Sequence, residues 1–361
     1  MKNSSISNSK RDSDAAPGSQ RADRKSAWLT SLIAAIVISM IALAIYEWTL
    51  RVSGAEPNFR DNQARWSSVR EAAGNDEKLD SIALLGASRI RAAISLSELE
   101  ARLPNQSVYP LGYIGRAPCA ALRDLADNTN FRGTVIISMN ANWVDCQPGP
   151  FQMHSVVSRF HQEWNWARKT DGVLSHFVTR NFVFSDPHYS IRNMIVNQIE
   201  YGKLMPKTDY EITRANRQLE FDFSLFSDDQ LVEMQSRSRR AFISRLGDGE
   251  SKSPKRWRDG ITIQNQAVER IISRGGQVLI LRLPTSGPLL RAEQEHFPRE
   301  AYWDDLAAHF PSATVMHFSD YDALSAFETP DGNHLDHRDA EEFTAALIDV
   351  AILEGVDFSR N

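Results

Sequence analysis

Two short stretches hold residue types that could do chemistry together. "LLGASRIRAAIS", Leu84 to Ser95, places Ser88 just past an apolar run and at the start of a helical pattern. "TPDGNHLDHRDAEEFTAAL" places Asp331 three residues before His334, in a Pro/Gly turn ahead of the last helix. A serine hydroxyl near its normal pKa needs a base, and a histidine base needs a group to orient it. An aspartate on the same turn can hold one nitrogen of His334 and leave the other for Ser88. The chemistry would be acyl transfer. Each stretch also has a plain structural reading: Ser88 caps a helix, and His334 sits on a solvated turn. Gly-Ala-Ser-Arg is not the Gly-x-Ser-x-Gly elbow of the α/β-hydrolases.

The surrounding elements must position these residues. From Asp80 onward apolar runs alternate with helical patterns, which predicts an α/β fold with a parallel sheet sandwiched by helices. Strands are expected at Ile82 to Leu85, in "SVYPLGY", at Gly133 to Met139, at Gln277 to Leu283 and in "ATVMHF". Ser97 is a candidate N-cap for the helix after Ser95. Residues 145–255 break the alternation and hold Phe160, Trp164, Trp166, Phe177, Phe182 and Phe184. They read as a helical insertion or lid, in which Trp164 and Trp166 could stack on sugar rings, though packing between the inserted helices is the commoner fate of such residues. Ligands gather outside the carboxyl ends of parallel strands, where Ser88 falls at a helix N-terminus that favours developing negative charge. Arg282, in "LRLPTSGP", ends another strand there. It is a candidate for holding an anionic substrate group, or for a structural ion pair.

A serine after the first strand and an Asp-x-x-His before the last helix is a layout that resembles the SGNH/GDSL hydrolases, across roughly Asp80 to Leu353 apart from the insertion. The resemblance implies a flavodoxin-like sheet, with Ser88, Asp331 and His334 as the catalytic set. It also implies an oxyanion hole from a glycine in "PLGYIGRAP", Gly115 before Gly112, and an asparagine in "SMNANW", Asn142 or Asn140. Such donors, aimed at the oxyanion, are commonly the largest catalytic contribution. The first block lacks the Asp of Gly-Asp-Ser, and the third lacks Gly-x-Asn-Asp. The chain therefore looks more like the membrane-anchored branch, the D-alanyl transfer proteins of teichoic acid and the alginate O-acetylation proteins. That branch implies an acylated glycan or acyl carrier as substrate, and a membrane-bound O-acyltransferase as partner. The weakened blocks also admit a catalytically inactive protein of the same fold that binds envelope polysaccharide or assembles its modifying machinery.

Composition agrees with an envelope protein. Ala27 to Tyr46 carries no charge for twenty residues, enough to span a bilayer core, with Trp28, Tyr46 and Trp48 at its ends. The run is longer than the core of a signal peptide, so an uncleaved anchor is expected over 27–50. A disordered cytoplasmic tail (1–26) precedes it, and a stalk (51–79) and the catalytic domain (80–361) follow. Lys2, Lys10, Arg11, Arg21, Arg24 and Lys25 before the span outnumber Arg51, Arg60, Arg65 and Arg70 after it. This predicts a single-pass inner-membrane protein with its large domain in the periplasm or outside the cell. A net charge of -5 gives no electrostatic case for nucleic acid. No cofactor is called for. Asp331, His334 and His337 lack the further ligands a metal site would need. Two cysteines, Cys119 and Cys146, follow the loops proposed for the glycine and the asparagine. Loops leaving one end of the sheet could bring them within disulfide reach, and two free thiols are the alternative.

Overall fold

The computed structural model describes residues 17–59, 61–201, 210–246 and 254–360. It divides into two units, Met1–Glu56 and Pro57–Asn361. In the first unit a single helix, α1 (Pro17–Val52), extends past the apolar run at both ends. Part of the expected disordered tail is thus helical from Pro17, because Gln20, Arg21, Ala22, Arg24 and Lys25 are good helix formers and proline suits a first helical turn. Residues 1–16 lie outside the described part. Ala27–Val52 is long and apolar enough to cross a membrane, and its most apolar stretch is unburied, whereas Leu50 near its end is buried.

The second unit is built on five parallel strands: β1 (Ile82–Leu85), β2 (Val108–Pro110), β3 (Thr134–Ser138), β6 (Gln277–Arg282) and β7 (Thr314–His317). Their order is β2-β1-β3-β6-β7. This doubly wound arrangement reverses direction between β1 and β3, and a crevice opens there at the carboxyl ends. Ile82, Ala83, Leu84 and Leu85 pair with Thr134 to Ile137 in register. The central strands β1, β3 and β6 are buried on both faces, which explains why they read as unbroken apolar runs, whereas the edge strands β2 and β7 are partly exposed. Alternate side chains divide between two cores. Leu85, Val135, Ile137 and Ile280 pack under α2 (Gln63–Gly74), α5 (Cys119–Asp127) and α10 (Pro254–Ser273). Ile82, Leu84, Ile136 and Leu281 pack under α3 (Ser88–Ala93), α4 (Leu96–Arg102) and α15 (Ala340–Leu353). Between β6 and β7 run α11 (Gly287–His296), α12 (Arg299–Tyr302) and α13 (Leu306–His309), and α14 (Asp322–Ser325) follows β7.

Three local expectations need correction. The segment expected as a stalk contains α2, which belongs to the domain. Trp66, Arg70 and Ala73 recur on one buried face, and the Trp66 indole donates to the Leu111 carbonyl at 2.9 Å. The helix after Ser95 is capped by Ser95, not Ser97, since its hydroxyl accepts from the Glu98 N–H. The insertion holds α6 (His154–Glu163), α7 (Trp166–Asn181), α8 (Ile191–Tyr201) and α9 (Asp228–Leu246). It also holds an antiparallel hairpin, β4 (Glu211–Thr213) with β5 (Leu219–Phe221), too short for alternation to reveal. Its aromatics do not all pack inward: Trp166 is 80% exposed.

Candidate active site

Gly86 ends β1 and turns the chain into α3. Its φ is +153°, and a Cβ there would meet Ser138 Cβ at 2.9 Å and Ile90 Cγ2 at 3.0 Å. Only glycine passes this corner without strain. Ser88 then occupies the first position of α3, after Ala87 as the cap residue, and no side chain caps the helix. The capping reading of Ser88 therefore fails. Its Oγ lies 2.8 Å from His334 Nε2.

His334 is held from three sides. Asp331 Oδ2 is 2.8 Å from Nδ1, and Asp331 Oδ1 accepts the backbone N–H groups of Asn333 and His334 at 2.8 and 2.7 Å. The Phe221 ring stacks on the imidazole at 4.3 Å between centroids. With Nδ1–H donating to Asp331, Nε2 is left as an acceptor for the Ser88 hydroxyl. Burial pushes the Asp331 carboxyl up. The charge and hydrogen bonds of His334 and the two backbone donors outweigh that, so its pKa lies below the ordinary carboxylate value. The aspartate is thus an anion at neutral pH.

Ser88 and His334 line a cavity of about 360 Å³, together with Gly115, Asn140 and Asn142. Gly115 has φ +69°, a left-handed turn conformation, and nothing lies within 4 Å of where a Cβ would be. Gly112, the second candidate in that loop, faces elsewhere: it packs on Arg91 and Ile90, and its carbonyl accepts from Arg217 at 3.0 Å. Asn140 is fixed through its oxygen. Oδ1 accepts from Arg282 at 2.8 Å and from Arg89 at 3.2 Å. This leaves its NH₂ as the group able to donate into the cavity. Asn142 shares the lining but has no comparable anchoring pair. Both asparagines that the sequence left open thus line the cavity, and of the two it is Asn140 whose oxygen is held by arginines.

Arg282 does not reach the cavity holding Ser88 as a substrate ligand. It is buried, and its guanidinium bonds Asn140, the Leu283 carbonyl and Glu293. Burial pulls its pKa down to about 10, against the attraction of Glu293. Glu293 also takes Arg89 at 3.0 Å, and the two arginines hold it below the ordinary carboxylate range despite burial. Of the two readings of Arg282, the ion pair is the one realised.

Sequence reasoning passed over several residues of this network. Arg89 follows Ser88 directly and bonds Asn333, Asn140, Thr285 and Glu293. Asn333 Nδ2 lies 2.9 Å from His334 Nε2. Asn333 sits within the motif already singled out, whereas Glu293 and Phe221 carry no local signal. Behind the Gly112–Gly115 loop, Asp61 joins Arg91 of α3 at 2.8 Å and Arg217 of the hairpin turn at 2.7 Å. The cysteines are paired: Cys119 and Cys146 form a disulfide with their Cα atoms 5.5 Å apart. It joins the segment after Gly115 to the segment after Asn142. From the insertion, α9 closes the cavity with Arg237, Ser238, Ala241, Phe242 and Arg245.

A larger cavity of about 570 Å³ lies at the amino ends of the strands, near Asp80 and Gln106; its Ser359 hydroxyl donates to Asp357, and among the described residues no histidine lines it. A scan against protein-family models and a search of curated proteins both find no match to this chain.

Proposed function

We propose that this protein is a membrane-anchored serine esterase or O-acyltransferase, of SGNH type, acting on the acyl groups of a cell-envelope glycan. The observation that carries the reading is the unbroken chain Ser88–His334–Asp331, with both links at 2.8 Å, opening on a cavity at the strand-order reversal. Ser88 Oγ attacks the acyl carbonyl and His334 Nε2 takes its proton. The tetrahedral oxyanion is met by the Asn140 amide and by the N–H groups of Ser88 and Gly115. Collapse expels the first alcohol, which takes the proton from His334, and leaves acyl-Ser88. Water or a sugar hydroxyl then attacks, gives its proton to His334, and restores Ser88. Water gives hydrolysis and a hydroxyl gives transfer. The apolar helix Ala27–Val52 supports retention at a membrane; we infer that this is the inner membrane, with the domain in the periplasm beside a membrane-bound O-acyltransferase.

One observation favours a second reading, a silent glycan-binding protein. The Asn333 amide approaches the same nitrogen of His334 that must take the serine proton. Labelling the full chain with a fluorophosphonate separates the two. The active reading expects a covalent adduct on Ser88, absent in Ser88→Ala and slowed at least about a thousand-fold in His334→Ala and Asp331→Asn. Because the three act as a unit, the double variant His334→Ala/Asp331→Asn should label little more slowly than the worse single one. A folded native chain that takes no label, even with a small probe, supports the silent reading.

A further inference from the structure

Helix α7 carries an apolar face that nothing in its own unit covers. Trp166, Val173, Leu174, Phe177 and Val178 recur at the 7, 8, 11 and 12 spacing of one helical side. All are exposed, Trp166 by 80% and Phe177 by 60%. The opposite side packs on α2, where Lys169 bonds Glu71 and Gly172 faces Ala64. Exposed apolar surface of this extent marks an interaction site. The next helix, α8, repeats the pattern with Ile191, Ile195 and Ile199 exposed.

The chain itself indicates the occupant. Phe59, near the start of the domain, lies 5.7 Å from His176 of α7, ring to ring. Only seven peptide steps separate Phe59 from Val52, where the apolar helix ends. Fully extended, they reach about 25 Å. If α1 is retained in a bilayer, α7 cannot leave the neighbourhood of that bilayer's surface. The rim of the face is mixed in charge: exposed Arg180 borders it on the Trp166 side, and Asp171, the lone acid of the helix, borders it on the Val178 side. Tryptophan prefers the headgroup boundary, and basic side chains favour anionic lipids.

We propose that α7 docks on the lipid surface of the bilayer that anchors the chain, burying Trp166, Val173, Leu174, Phe177 and Val178 at the headgroup boundary. The proposal rests on the reading of Ala27–Val52 as a retained span. It gives the domain a fixed attitude to the membrane, which a single tether would not. It also makes the insertion a second point of attachment as well as a wall of the active site.

The test uses the full chain in vesicles of phosphatidylethanolamine and phosphatidylglycerol. Both native cysteines are paired, so an introduced cysteine can be labelled alone with an environment-sensitive fluorophore. Four variants suffice: Phe177→Cys and Val173→Cys on the face, Ile36→Cys in the apolar helix, and Leu353→Cys, 84% exposed, as a solvent control. Lipids spin-labelled near the headgroup should quench the Phe177 and Val173 probes more than about two-fold, and leave the Leu353 probe unchanged. Deeply labelled lipids should quench the Ile36 probe. If Ile36 is quenched while Phe177 and Val173 behave like Leu353, docking is overturned and the anchor reading stands. Blue-shifted but unquenched probes on α7 mean that protein covers the face, a second copy or an embedded partner, and this also overturns docking. An unquenched Ile36 probe means the anchor reading has failed, and docking fails with it.

Discussion

Asn140 shows how a single side chain acquires a role from its neighbours. An isolated asparagine amide can present either end to a reacting centre. Here two guanidiniums occupy its oxygen, and only the NH₂ end remains for an oxyanion. Arg89 and Arg282 can converge on one oxygen because both also bond Glu293, whose single negative charge offsets part of their mutual repulsion. Asn140→Ala should lower turnover of a short-chain acyl ester about a hundred-fold or more with little change in KM, the usual result of losing one oxyanion donor. Asn142→Ala should cost less than about ten-fold. Steady-state kinetics of the two variants decide the assignment, and the reverse ranking would return the role to Asn142. The serine, the histidine and the aspartate were legible in the sequence because one nucleophile and one Asp-x-x-His turn suffice to suggest them. The arginine pair was not, since Glu293 lies 204 residues from Arg89 in the chain.

The hairpin β4–β5 is the element that the periodicity of the sequence concealed. Three residues per strand give too few alternations to separate strand from loop. It nonetheless touches the site twice. Phe221 stacks on His334, and its carbonyl accepts the His337 N–H at 2.9 Å. The turn preceding β5 sends Arg217, fully buried and at φ +72°, to Asp61 and to the carbonyls of Pro110 and Gly112. Asp61 in turn holds Arg91, the fourth residue of α3, whose pKa burial lowers to about 10. Thus one buried carboxylate ties the serine helix, the glycine loop and the hairpin together. Arg217→Met removes one partner and leaves two carbonyls without their donor. It should destabilise the fold by about 3 kcal/mol, with lower kcat in the fraction that remains folded. Thermal unfolding in detergent measures the first effect and kinetics the second. Unchanged values for both would show that the hairpin is a passive strap.

At the scale of the whole molecule, stability should depend on pH through groups that the fold keeps in one charge state. His317 ends β7 against Trp303 and Phe318, and its Nδ1 accepts from the N–H and hydroxyl of Ser319. Burial, then the nearby charges of Arg282 and Arg299, lower its pKa to about 3. The unfolded chain binds this proton near pH 6.5 and the folded chain only near 3. The contribution is therefore complete above pH 6.5 and is lost as pH falls towards 3. Asp331, whose pKa is also depressed, loses its contribution only below the ordinary carboxylate range, where the unfolded chain first takes up the proton. Between pH 6.5 and 5 the largest loss should come from His317, since burial also lowers His154 and His176 but less far. Allowing for its partial exposure, it should be about 1 kcal/mol, a fall in Tm of about 2 °C. His317→Gln should flatten the curve from about pH 6.5 down to about pH 3, the pKa of the folded imidazole, and leave the carboxylate losses in place. Parallel curves for the two proteins would sink the assignment.

By itself, the sequence determined what depends on neighbours along the chain. The apolar strands, the amphipathic helices and the uncharged helix at the N-terminus are local patterns of residue type along the chain. The Asp-x-x-His turn is local as well, which is why its internal hydrogen bond could be anticipated. Tertiary structure decided everything that joins distant segments. It brought Ser88 to a histidine 246 residues away, and it turned Arg282 from a candidate ligand into a support for Asn140. It also paired Cys119 with Cys146 and attached α2 to the domain. The physical reason is the same in each case. Which polar groups meet in a buried crevice is fixed by strand order and helix packing, and hydrogen bonds between remote residues leave no period in the sequence.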